Sequence, residues 1–435
     1  MNKLIKKILV STLVVSSLLN ITPSTKANAT ELPPVYSEGA VLMDGTTGQI
    51  LYAKNENAQF EPASTTKVMT ALIVLERTNL SDKVTIGEKP PLVDGSALGI
   101  REGEVYTVEE LMYGLLLESA NDCAEALAEY VAGSNEEFAK LMNDKAKELG
   151  ALNTTFKNPS GLHEDGHLTT AYDLALIMKA AAHNKEYVRL SQTEAYQYVD
   201  QPFSDGSEKW ASNRNQLLNE YSAYYYGSTY CGKNGYTPEA NHSYTATAVR
   251  DNQMLVAAFI NATDKDSFYK NIGPLFDYGF DNFETIKLIS ANDELDSFKI
   301  DDEITIPLLA KTDFYYTKAK SEDTPLYYID YDKTDISKQS IKTGDILYKA
   351  KININGETVS TIDLISGTNR EYTAPVETKD QIIGTIVEFI NHPGNIIYTL
   401  VFLFALFIGL NLIFASDKKR KRRKKAPNLT YKRKR

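Results

Sequence analysis

The spacing of apolar positions changes character several times along the chain. Ala40-Val41-Leu42-Met43-Asp44 and Gln49-Ile50-Leu51-Tyr52 flank Gly45-Thr46-Thr47-Gly48, which predicts a β-hairpin closed by a short glycine-bounded loop. Beyond Pro62, whose fixed φ suits a helix start, Val68, Met69, Leu72, Ile73 and Leu75 predict a helix buried nearly all round. Helical periodicity continues through Val108 to Ser119, Asp122 to Val131, Asn135 to Leu149 and Thr170 to Ala182, each bounded by polar or glycine stops. From Thr229 to Thr263 strands take over, at Tyr244 to Val249 and Met254 to Ile260, rich in β-branched and small apolar residues. A helix near Asp266 to Tyr278 follows. An early hairpin, a helical middle and late strands predict an α+β domain over residues 30–283. Both ends of that segment complete one antiparallel sheet, and the helices pack around it.

The texture changes again near Phe283. Ile286-Lys287-Leu288-Ile289, Ile304-Thr305-Ile306, Leu326-Tyr327-Tyr328-Ile329 and Ile346-Leu347-Tyr348 run between turn signals, and Asn355-Gly356 splits a hairpin over Lys349 to Thr361. These predict a small all-β domain, a β-sandwich over 284–374. Ile382, Ile383, Ile386, Val387 and Ile390 then fall at helical spacing inside an amphipathic linker, 375–395, that either lies on a membrane surface or simply connects. Ile396 to Ala415 is free of charge and long enough to span a bilayer as a transmembrane helix. At the other end, Lys3, Lys6 and Lys7 precede an apolar run, and Ala27-Asn28-Ala29 fits a signal peptide cleaved after residue 29.

Charge places these parts. Lys418 to Lys425 is an unbroken basic run, so the tail 416–435 is cytoplasmic and everything before the span is outside. Because that run abuts a span, its natural partner is anionic lipid and not nucleic acid. The tail carries +11 and the leader +4, so a net −10 for the whole chain leaves −25 on the exported part. Such an acidic domain does not adhere to anionic wall polymers by charge alone. With Cys123 and Cys231 as the two cysteines, no disulfide scaffold holds the chain together; free thiols are expected, or one bond beside the cleft.

The candidate chemistry begins at Ser64 and Lys67, three apart on one face of a first helical turn. A serine hydroxyl becomes a nucleophile when a neighbouring amine takes its proton, and a helix N-terminus stabilises the negative charge that develops. This is the Ser-x-x-Lys pattern of penicillin-recognising enzymes; alone it also fits a helix cap followed by a solvated lysine. Two further stretches add to it. In Glu118-Ser119-Ala120-Asn121-Asp122, at a junction of two helices, a second hydroxyl can relay a proton and an amide can hold a peptide carbonyl. In Cys231-Gly232-Lys233-Asn234-Gly235-Tyr236-Thr237, Lys233 can bind a carboxylate and, by like charge, keep Lys67 deprotonated; Gly235 admits a substrate backbone.

Those three stretches, in this order and approximate spacing, resemble the low-molecular-mass penicillin-binding proteins, the serine D-alanyl-D-alanine carboxypeptidases. Asn158-Pro159-Ser160-Gly161-Leu162, Thr169-Thr170-Ala171-Tyr172-Asp173 and Asn213-Arg214-Asn215-Gln216-Leu217-Leu218 add to the resemblance, which is strong over about 35–280. It implies a β-lactamase/transpeptidase-like fold, a peptidoglycan stem peptide ending in D-Ala-D-Ala as substrate, β-lactams as covalent inhibitors, and no cofactor or metal. It further implies that Ser64 forms an acyl-enzyme, Lys67 takes its proton and Ser119 passes it to the departing D-alanine. Asn121 would orient the peptide and Lys233 bind the terminal carboxylate, with Asn234 and Gly235 beside it. The N–H groups of Ser64 and Tyr236 would form the oxyanion hole. One position departs: the family has Lys-Thr-Gly where this chain has Lys233-Asn234-Gly235, which predicts altered affinity without loss of chemistry.

Two stretches imitate functional motifs. Lys342-Thr343-Gly344 spells the missing triplet but lies in the second domain, and His163-Glu164-Asp165-Gly166-His167 matches H-E-x-x-H, where Asp165-Gly166 argues for a loop in place of a zinc-binding helix. Tyr221, Tyr224, Tyr225, Tyr226 and Tyr230 fit strand packing as well as a glycan-binding rim. The expectation is a membrane-anchored carboxypeptidase on the outer face of a bacterial membrane. A D,D-endopeptidase, a β-lactamase and a non-catalytic wall scaffold are the alternatives.

Overall fold

The computed structural model describes residues 30–374 and parts of 383–409. The described chain divides into two compact units. One runs up to Leu295 and adds 309–331 and 349–364; the other holds 296–308, 332–348 and the described residues from 365 onward. The expected leader and basic tail lie outside the described residues, and the linker and span are described only in part. Among the described residues no helix is long and apolar enough to cross a membrane.

Five strands, β1 (Gly39–Asp44), β2 (Ile50–Lys54), β3 (Thr229–Thr237), β4 (Asn241–Arg250) and β5 (Gln253–Ala262), make one antiparallel sheet in the order β2-β1-β5-β4-β3. The expected closure by both ends of the segment is the β1–β5 pairing, with Val41 opposite Ala258. The period-2 pattern explains why β1 and β5 can be buried on both faces. Val41, Met43, Val256, Ala258 and Ile260 join a large cluster with the middle helices. Ala40, Leu42, Leu255, Ala257 and Phe259 face the other way, against Phe268, Ile272, Leu275 and Phe276 of the last helix.

The helices of the middle segment are α1 (Lys67–Arg77), α2 (Val108–Leu117), α3 (Asn121–Ala132), α4 (Asn135–Glu148), α5 (Ala171–Ala182) and α6 (Lys185–Gln192); α7 (Lys265–Asn282) closes the sheet. The pattern did not predict α6, although Asn184 caps it through the N–H groups of Glu186 and Tyr187. The nucleophile segment differs from the expected continuous helix. Ala63–Thr66 is a 3-10 turn and the α-helix starts only at Lys67, because Ala63 takes φ +49° and Thr65 Oγ1 donates to Pro62 O at 2.6 Å.

Strands β6 (Phe283–Ile289) and β7 (Phe314–Ala319) pair antiparallel, as do β8 (Tyr327–Asp330) and β9 (Ile346–Ile354). Asn355 and Gly356 both take positive φ, the backbone that the hairpin signal demanded. The tyrosine cluster goes largely to packing. Tyr224 stacks on Tyr269 at 5.3 Å and Tyr226 on Phe276 at 5.9 Å, both on α7, while Tyr221 stays exposed. Both cysteines are free and buried.

One close contact ties α2 to α3. A Cβ on Gly114 would lie 2.5 Å from Cys123 Sγ and 3.2 Å from Leu98 Cδ2. Gly114→Ala should therefore cost about 1–3 kcal/mol by overpacking. Adding Cys123→Ala should recover most of that loss in urea unfolding curves; an unaltered loss in the double variant would refute the contact as the cause.

Candidate active site

The site forms where three separated segments converge on one amine. Lys67 Nζ lies 2.8 Å from Ser64 Oγ, 2.7 Å from Asn121 Oδ1 and 2.6 Å from the Ser160 carbonyl, and the side chain is fully buried. Burial first, and then the Lys233 ammonium, hold Lys67 well below the ordinary lysine range; Asp122 pulls weakly the other way. A neutral amine has two N–H groups and one lone pair. The two carbonyl oxygens take the N–H groups, which leaves the lone pair directed at the Ser64 hydroxyl. In its neutral form Lys67 would thus be oriented to accept a proton from Ser64.

Each partner is itself fixed. Asn121 opens α3: its N–H donates to Ser96 O at 2.6 Å and its Nδ2 donates to Asp94 O at 2.7 Å. Asp122 carries the neighbouring loop, taking N–H bonds from Leu98, Gly99 and Ile100 at 3.0, 2.9 and 3.2 Å. Ser119 is buried between α2 and α3 with φ +59°, and its hydroxyl bonds to no described residue. Ser160 belongs to the loop 158–162, which lies against the nucleophile turn. Gly161 takes φ +82°, and a Cβ there would sit 1.9 Å from Ala63 O.

Strand β3, the sheet edge, forms the opposite wall. A Cβ on Gly235 would fall 2.8 Å from Ser64 N and 3.0 Å from Thr65 N, so only glycine lets the strand meet the turn. Ser243 of β4 also anchors this contact by donating to Pro62 O. Lys233 is buried, and burial, assisted by Arg214, pulls it down to about 7. Its Nζ donates to Asn234 O at 2.9 Å. Arg214 is ion-paired with Glu118, the residue before Ser119. The Asn234 side chain is half-buried and bonds to no described residue. Tyr236 is exposed, its ring 4.5 Å from that of His242.

Residues 26–264, more than half the chain, match the family described as D-alanyl-D-alanine carboxypeptidase. The chain belongs to that family. Residues 283–372 match the C-terminal domain of penicillin-binding protein 5. The D-alanyl-D-alanine carboxypeptidase DacF of Bacillus subtilis is 35% identical over 306 residues, covering 68% of this chain and 76% of that protein. DacD of Salmonella typhimurium is 32% identical over 325 residues, covering 70% and 80%. Among solved structures, penicillin binding protein 5 from Haemophilus influenzae superposes with a TM-score of 0.65 at 25% identity, covering 78% of this chain and 98% of that one.

Within this family member, Ser64, Lys67, Asn121 and Gly235 are joined by direct close contacts, and the charge of Lys233 reaches Lys67. Sequence reasoning gave no role to Asp122, Ser160, Arg214 or Ser243. Asp122, Ser160 and Arg214 stood inside quoted motifs, but Ser160 meets Lys67 through its backbone carbonyl, which no side-chain pattern reveals. The decoys resolve as turns. His163 is exposed and bonded to Glu61 at 2.8 Å, whereas His167 is buried against Thr66 and Gly166 takes φ +81° between them, so no helix presents both rings. Lys342 begins a turn closed by its N–H to Asp345 Oδ2.

Two outcomes follow from this geometry. Gly161→Ala should slow acylation by a fluorescent penicillin by roughly 100-fold, since the loop must withdraw its carbonyl from Lys67; wild-type labelling would refute this role for the loop. For pH, acylation needs neutral Lys67 and should slow as pH falls through its lowered pKa. If the Lys233 ammonium binds the substrate carboxylate, KM should rise as pH climbs past about 7. A KM flat from pH 6 to 9 would exclude that assignment.

Proposed function

We propose that this protein is a serine D,D-carboxypeptidase that removes the terminal D-alanine from peptidoglycan pentapeptide on the outer face of a bacterial membrane. The observation that carries the reading is Lys67 Nζ, buried and within hydrogen-bond distance of Ser64 Oγ, Asn121 Oδ1 and the Ser160 carbonyl. Ser64 Oγ attacks the carbonyl of the penultimate D-alanine as its proton passes to Lys67. The N–H groups of Ser64 and Tyr236 receive the oxyanion. The C–N bond then breaks, and the proton reaches the leaving amine through Ser119. Water hydrolyses the acyl-enzyme with Lys67 again as base, and Ser64 regains its proton. Asn121 orients the peptide while Lys233, Asn234 and Gly235 hold its terminal carboxylate. A β-lactam presents the same carbonyl and carboxylate and traps Ser64.

The domain plan supports a tethered enzyme: a catalytic domain at 30–283, a β domain at 284–374 as spacer, and the span at 396–415 with its basic tail. This part rests on the apolar and basic runs of the sequence.

D-alanine release from a diacyl-Lys-D-Ala-D-Ala peptide tests the reading. The full chain in detergent should release it, and Ser64→Ala should lower the rate on the order of 10³-fold or more. Penicillin labelling of Ser64 without release would move the substrate to cross-linked dimers, and failure of both would sink the enzyme reading. Asn234→Thr should change KM by about 3–10-fold at nearly constant kcat, as expected for a group that touches only the bound carboxylate; an equal loss in kcat would place Asn234 in the chemistry instead.

A further inference from the structure

His167 is a buried titratable group for which the chemistry above has no use. It closes the loop that imitates a zinc motif, and it lies directly behind the nucleophile turn. Its Nε2 is 3.0 Å from Thr66 Oγ1, and Thr66 sits between Ser64 and Lys67. On the other side of the ring, the Lys157 N–H donates to Nδ1 at 3.4 Å. A backbone N–H can only donate, so Nδ1 carries the lone pair and Nε2 carries the hydrogen that Thr66 accepts. The ring meets Phe156 edge-on at 5.7 Å, and the backbone N–H of His167 donates to Glu164 O at 2.9 Å. One imidazole therefore joins the turn bearing Ser64 and Lys67 to the two ends of the loop that supplies the Ser160 carbonyl.

We propose that His167 is a positioning residue for the reaction: its neutral ring locks the 157–167 loop to the nucleophile turn, and so holds the Ser160 carbonyl on Lys67. The inference rests on the serine-peptidase reading of the same site. Two neighbouring observations agree with it. Thr70 Oγ1 donates to Pro159 O at 2.6 Å, so the loop is fastened to α1 on the far side of Ser160 as well. Gly161 fits against Ala63 with no room for a Cβ, so a small loop displacement moves Ser160. Neutrality is enforced by burial, with Lys157 and Lys67 adding repulsion, which pulls His167 down to about 4. The charged groups facing it are these two lysines; Glu164 offers only its carbonyl, and His163 is turned outward to Glu61. A protonated ring would lose the Lys157 bond at Nδ1 and add charge beside Lys67.

Two variants and two readouts test this. Gln at 167 can reproduce the Nε2–H donor to Thr66; Ala cannot. In the full chain, His167→Ala should slow penicillin acylation at least 10-fold. It should also move the acid limb of acylation to higher pH, because a loosened loop admits water and relieves the burial that depresses Lys67. His167→Gln should restore most of the rate and the limb. A role confined to stability would lower Tm in both variants and leave the limb in place, which would overturn the proposal. So would Gln behaving like Ala. Hydrogen exchange gives a second readout that needs no activity: amides of Lys67, Gly161 and Leu162 should exchange faster in the Ala variant and not in Gln. Unchanged exchange would refute the proposal even if the wild type failed to take penicillin, a failure that by itself would count only against the Ser64 reading.

Discussion

A lysine amine held fully out of water is the constraint on which the site is built. Burying an ammonium without compensation is prohibitively unfavourable, so the group either pairs with an anion or gives up its proton. Among the described residues no carboxylate is in direct contact with Lys67. Its close neighbours are an amide oxygen, a peptide carbonyl and a hydroxyl, all suited to a neutral amine. Lys233, buried nearby and also depressed, adds repulsion from the far side. The depressed amine is the group to which the proposed reaction assigns the base, and the fold holds two carbonyl oxygens within hydrogen-bond distance of it.

The surrounding structure reads as a set of solutions to that requirement. Asn121 is aimed by bonds to Asp94 and Ser96, whose loop is in turn held by Asp122. Ser160 is aimed by a loop fastened at Thr70, Thr66 and Ala63. On the third side β3 comes within van der Waals range of the nucleophile turn through Gly235. Because β3 is the edge of the sheet, its outer backbone groups remain available to an extended peptide. Local strain accompanies this. Ala63 and Ser119 both take positive φ although neither is glycine, and both adjoin reacting groups. Such residues cost on the order of 1 kcal/mol each and persist where packing over-determines them.

The secondary structure was legible wherever burial has a simple period. The hairpin at β1 and β2, helices α1 to α5 and the strands β4 and β5 follow from apolar spacing, since those elements bury a face or all of themselves. Helix α6 and the short pairings of 83–85 with 105–107 and of 195–197 with 210–212 were not, because they are too brief to show a period. The 3-10 turn at Ala63–Thr66 also escaped prediction. Its conformation answers to Gly161 and Ser243, which are distant in sequence.

By itself, the sequence picked out the side chains to which the proposed chemistry is assigned. Ser64, Lys67, Ser119, Asn121 and Lys233 are chemically distinctive residues standing in short ordered motifs, and a motif survives being written in one dimension. Only the tertiary structure decided what surrounds them. The carbonyl of Ser160 is a backbone group that every residue owns, and the depression of Lys67 depends on burial among segments remote in the chain and on Lys233. The function of His167 as a clasp depends on which nitrogen faces Thr66. Those are properties of distance and exclusion between segments far apart in the chain, and they exist only after folding brings the segments together.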